Sequence, residues 1–116
     1  MYESLTEYIK SNFQAFFHEN EFKIVEENSP IGYRSEKLLS CQNEVYEINF
    51  DMEYPDGLQL QIKKHDAVWH STLHKEVRIC YEQKKLLQSK NDLNSIVKIE
   101  LDCYLEKLKQ QNWKIE

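Results

Sequence analysis

VYEINFDMEYPDGLQLQIKKH, residues 45–65, decides how this chain folds. Two runs in which apolar and polar residues alternate flank Pro55-Asp56-Gly57, a turn signal between strands. Pairing Tyr54 with Leu58 sets Met52 opposite Leu60 and Phe50 opposite Ile62. The same pairing brings Glu53, Asp51 and Asn49 opposite Gln59, Gln61 and Lys63, so one face is apolar and the other polar. A slip of one residue would mix the faces. The hairpin is therefore expected to belong to an antiparallel sheet covered on its apolar side only.

Working outward, Leu5, Ile9, Phe13 and Phe16 form one helical stripe over residues 4–18, flanked by Tyr8 and Phe17. Ser4 and Glu7 supply an S-x-x-E capping box, and Asn20 is placed to end the helix. Phe22 to Val25 predicts a first strand, and Ser29-Pro30-Ile31-Gly32 a turn. Tyr33 to Cys41 predicts a second strand, in which Ser35 and Lys37 interrupt the alternation, as suits an edge strand or a partly irregular one. After the hairpin, Trp69, Leu73, Val77, Cys80, Tyr81 and Leu87 predict one long helix from Ala67 to about Gln88, capped by Asp66. Val77, Ile79 and Tyr81 also alternate, which leaves a strand over 77–81 as the alternative. Asn91 or Asp92 would cap a last helix carrying Leu93, Val97, Leu101, Tyr104, Leu105 and Leu108, and Trp113-Lys114-Ile115 would pack as an anchored end.

These elements predict an α+β fold over residues 1–116 as one domain: an N-terminal helix, an antiparallel sheet of three to four strands, and two long C-terminal helices packed on one sheet face. The 116 residues, 41% of them hydrophobic, suffice for one core. Each C-terminal helix carries a second apolar strip, Val68, Ile79 and Leu86 on one and Ile96, Ile99 and Cys103 on the other. Packing of the helices on each other is the plain account of these strips, and a homodimer the alternative.

Cys41, Cys80 and Cys103 are odd in number and lack C-x-x-C spacing, which predicts reduced, buried thiols and a cytoplasmic protein. Met1-Tyr2-Glu3 does not begin a signal peptide, and no run approaches the ~18 apolar residues of a spanning helix, so neither export nor a membrane is expected. A net charge of −5 without a basic cluster opposes direct nucleic-acid binding and suits a basic protein partner.

Two constellations bear chemistry. His65, His70 and His74 crowd one segment, and His70 and His74 are spaced to share a helical face where a metal could bridge them. The glutamate of an HExxH motif is missing, and ordinary hydrogen-bonded histidines are the preferred reading. In the second, the pairing above places Asp51 across from Gln61, with Lys63 further along the same face. Asp51, Gln61 and Lys63 resemble the D…QxK form of the PD-(D/E)xK nuclease motif. That resemblance covers three residues and implies a divalent metal on the acid and a lysine that assists water attack on phosphate. A solvated sheet face is the simpler account. No motif calls for a cofactor, and two glycines cannot build most phosphate-binding loops.

The expected function is therefore non-enzymatic: a small protein that inhibits or escorts a protein partner, such as an immunity protein that neutralises a toxin or nuclease. Glu47, Asn49, Asp51 and Glu53 on the polar sheet face, with Asp56 in the turn, are the expected contact residues.

Overall fold

A computed structural model describes residues 4–28, 36–53, 57–69, 73–85 and 93–110. Two short helices, α1 (Leu5–Asn12) and α2 (Gln14–Glu19), lead into four strands, β1 (Lys23–Glu27), β2 (Glu36–Gln42), β3 (Tyr46–Glu53) and β4 (Gly57–Lys64). Helices α3 (His74–Lys85) and α4 (Leu93–Lys109) complete the α+β architecture. The strands form one antiparallel sheet in the order β1-β2-β3-β4.

The apolar hairpin face is the floor of the core. Ile48, Phe50 and Met52 of β3 and Leu58, Leu60 and Ile62 of β4 are all buried. The register differs from the expected one. Met52 lies opposite Leu58 and Phe50 opposite Leu60, with Glu53 paired to Gly57, so each β3 residue meets the β4 residue two positions before the expected one. Alternation has period two, so both registers keep every side chain on its face, and burial alone does not choose between them.

The first helical stretch is two helices rather than one. Ser4 caps α1 by accepting a hydrogen bond from the Glu7 amide at 3.1 Å, as the capping box requires. At Phe13 the backbone leaves the α region (φ −97°, ψ 2°), and α2 restarts at Gln14. Phe13 is fully buried there, edge-on to Phe50 at 5.2 Å, while Phe17 meets the same ring at 6.3 Å. Phe22, stacked on Phe16 at 5.7 Å, closes the cluster. Thr6 donates to the carbonyls of Asn28 and Leu38, tying α1 to the sheet, and the Tyr8 hydroxyl donates to Asp102 of α4 at 2.7 Å.

Strand β2 is interior, not an edge; β1 and β4 are the outer strands of the described sheet. The interrupted alternation in β2 marks a bulge instead, because the ladder jumps from Lys37↔Asp51 to Leu39↔Phe50 and leaves Leu38 unpaired. Consecutive Leu38 and Leu39 are both fully buried as a result.

Residues 77–81 are helical, but α3 starts at His74 rather than Ala67. Asp66, expected as its cap, sits in the turn after β4 with φ 66°, and Trp69 precedes the helix and is exposed. Helix α4 packs along β4, with Val97, Leu101, Tyr104 and Leu108 inward, and α3 packs on α4. That contact buries the second strip of α4 at Ile99 and Cys103, whereas Ile79 of α3 is exposed. Leu86, Asn91, Asp92 and the Trp113-Lys114-Ile115 tail lie outside the described residues. Among the described residues no helix is long and apolar enough to cross a membrane.

Because Phe50 joins the sheet to both N-terminal helices, Phe50→Ala should remove about 3–5 kcal/mol of stability. Phe50→Leu should cost less. Urea unfolding followed by tryptophan fluorescence measures both, with a shifted midpoint at an unchanged slope.

Candidate functional site

The sheet face away from the helices carries three polar rungs, each set by cross-strand register. Gln42, Glu47 and Lys63 form one, Ser40, Asn49 and Gln61 the next, and Lys37, Asp51 and Gln59 the third. Opposite residues on one face are close enough to pair. Lys63 bonds Glu47 at 3.2 Å, the Ser40 hydroxyl donates to Asn49 at 2.7 Å, and Lys37 reaches across to Glu26 of β1 at 3.1 Å.

Glu47 is the most engaged of these groups. Its second oxygen meets His65 Nδ1 at 3.1 Å, while His65 Nε2 lies 2.7 Å from the Asn43 carbonyl. Trp69 completes the corner, its ring centroid 4.8 Å from the Lys63 ammonium in a cation–π contact.

The expected contact residues thus have different standings. Glu47 is committed to Lys63 and His65, and Asn49 is buried against Ser40. Asp51 is half-buried in the third rung, and Glu53 closes the β3–β4 ladder opposite Gly57. Asp56 lies outside the described residues. Asp51, Gln61 and Lys63 do not converge as expected: Asp51 faces Gln59, Gln61 faces Asn49, and Lys63 is paired with Glu47. The two-residue shift in register is the reason. Helix α3 begins at His74 and His65 is in the turn after β4, while the expected face shared by His70 and His74 falls on His70, outside the described residues. Among the described residues no group of three or more His, Cys, Asp or Glu side chains is arranged to hold a metal ion.

The three cysteines are free thiols; Cys41 and Cys103 are buried and Cys80 is half-buried. Burial pushes Cys41 up to about 12, and burial followed by a hydrogen bond with Cys80 does the same to Cys103. Neither supplies a thiolate near neutrality.

Glu100 escaped sequence reasoning. It stands one turn before Tyr104 on the inward stripe of α4, and helical phase was the signal that marked it as buried. Its Oε1 and the Tyr104 hydroxyl are buried without a hydrogen-bond partner among the described residues. Burial raises Glu100 from 4.5 to about 7, against the opposing pull of the Arg78 charge and a Leu58 backbone hydrogen bond.

Comparisons with protein-family models, curated proteins and solved structures return no match.

The Glu100 environment has a sign. The folded protein keeps this proton up to about pH 7, whereas an unfolded glutamate releases it near 4.5. Stability from this group is full below pH 4.5 and is lost as pH rises through 7. Glu100→Gln, neutral throughout, should match the parent near pH 4.5 and exceed it at alkaline pH by up to about 3 kcal/mol. Urea midpoints across that range measure the difference.

Proposed function

We propose that this protein acts by binding another protein, which it inhibits or escorts, in the manner of an immunity protein that neutralises a toxin, and that the open sheet face makes the contact. The observation that carries this reading is the division of the sheet: the described helices pack over its apolar side, and the other side presents three ordered polar rungs with Trp69 at one corner. Tryptophan is enriched at the energetic centres of protein interfaces, where surrounding polar groups exclude water. Exposed Val68 beside Trp69 adds apolar surface at the same corner. Ion pairs and hydrogen bonds already hold the rung side chains, so less ordering entropy opposes association. The net charge of −5 favours encounter with a basic partner.

Affinity purification from the native cell with mass spectrometry identifies the partner, and two variants test the surface. Trp69→Ala and the charge reversal Asp51→Lys with Glu53→Lys should each weaken binding about tenfold or more in titration calorimetry. Unchanged affinity in both would move the interface off this face, and capture of no partner by the parent protein would sink the reading.

A further inference from the structure

The two edges of the sheet are treated differently. Helix α4 packs along β4, and a Leu58 backbone hydrogen bond reaches Glu100. On the other side β1 has one strand neighbour among the described residues, β2, and all five of its residues are exposed. Its register with β2 shifts between Ile24 and Glu26, leaving Val25 unpaired in the ladder and more than half exposed. Backbone donors and acceptors along such an edge are a template for another strand.

A groove of about 820 Å³ adjoins the start of β1, between the end of α2 and the β2–β3 turn. Phe17, Phe22 and Val25 contribute its apolar lining, and Glu19, Glu21 and Glu44 are exposed around it. Lys23 and His18 line it too, so three carboxylates stand against one lysine and one histidine. The other glutamates of β1 are neutralised locally, Glu26 by Lys37 at 3.1 Å and Glu27 by Lys10 at 3.0 Å. Glu19, Glu21 and Glu44 form no ion pair among the described residues.

The walls are preformed. Asn43 donates to the Asn20 carbonyl at 2.9 Å and accepts from the Val45 and Tyr46 amides, which ties the end of α2 to the β2–β3 turn. Glu21 adopts φ 59° where the chain turns from α2 into β1.

We propose that the β1 edge takes up an extended segment of a basic partner as a fifth strand, with apolar side chains over Phe17, Phe22 and Val25 and Lys or Arg side chains against Glu19, Glu21 and Glu44. This deepens the protein-binding reading above and rests on it. Main-chain hydrogen bonds would supply affinity and alternate side chains the selectivity, as in other cases of strand addition. The five residues of β1 match a partner segment about 17 Å long. A second copy of this chain is the less suitable occupant, because it would bring a second set of the same three carboxylates to the groove.

The probe is an end-blocked peptide, Lys-Val-Lys-Val-Lys-Val, titrated into the isotopically labelled protein and followed by NMR, with Glu-Val-Glu-Val-Glu-Val as control. The basic peptide should shift and protect amides of residues 23–27 and shift those of Glu19, Glu21 and Glu44, while the acidic peptide leaves them unmoved. Glu21→Lys with Glu44→Lys should weaken the basic peptide about tenfold, and so should high salt. Glu19→Lys with Glu44→Lys repeats the test without touching the left-handed residue, and urea unfolding checks that both variants fold. No shift in β1, equal binding of both peptides, undiminished binding by both variants, or β1 protection that grows with protein concentration alone would each overturn the proposal. A native partner that binds both variants as well as the parent removes this site and leaves the protein-binding reading intact; capture of no partner removes that reading.

Discussion

The packing of Phe13 and Phe17 against Phe50 is the contact on which the rest of the structure depends. Phe50 lies near the middle of β3, one strand in from the β4 edge, and of the two rings above it one belongs to Phe13, the residue at the backbone break, and the other to Phe17 of α2. Removing a side chain of this kind from water contributes roughly 1.5–3 kcal/mol, and edge-to-face geometry adds to it. The contact therefore does more than fill space. It sets which side of the sheet the helices cover, and pleating then directs every intervening residue of β3 and β4 to the opposite side. The ordered polar rungs are a consequence of burying Phe50.

Once the rungs exist, their chemistry is governed by who stands opposite whom. Lys63 across from Glu47, and Lys37 beside Asp51 and bonded to Glu26, convert what reads as an acidic strand into a face of paired charges. Exposed ion pairs of this sort add little stability. Their effect is on order: Lys63 is held by Glu47 on one side and lies against Trp69 on the other, so the aromatic corner has a defined position. Three carboxylates with no ion pair among the described residues lie together elsewhere, at Glu19, Glu21 and Glu44 around the start of β1.

Much of this was legible in the residues. Alternation over 45–65 specified the faces, Ser4 and Glu7 the first cap, and the stripe from Val97 to Leu108 the last helix. What alternation could not specify was the register itself, because pairings that differ by one step of the turn keep the same residues inside. That ambiguity moved Gln61 from Asp51 to Asn49 and dissolved the apparent acid-amide-lysine site. The bulge at Leu38 hid an interior strand behind a broken pattern, since a bulge changes the phase at which side chains alternate. The late start of α3 at His74 was hidden for another reason: Trp69 and Leu73 are at helical spacing, yet only Leu73 is buried.

Glu100 shows how the two edges of the sheet came to differ. A glutamate on the inward face of α4 is costly to bury as an anion, and the raised proton affinity reflects that cost. The same inward position lets it take a hydrogen bond from the backbone of β4, a strand with a neighbour on one side only. Edge backbone that is partly engaged by a helix is a poorer template for another chain. Strand β1 has the bulge and Lys23 to discourage indiscriminate pairing, but among the described residues no helix lies along it as α4 lies along β4. A partner strand seeking this sheet meets opposition at one edge and selection by charge at the other.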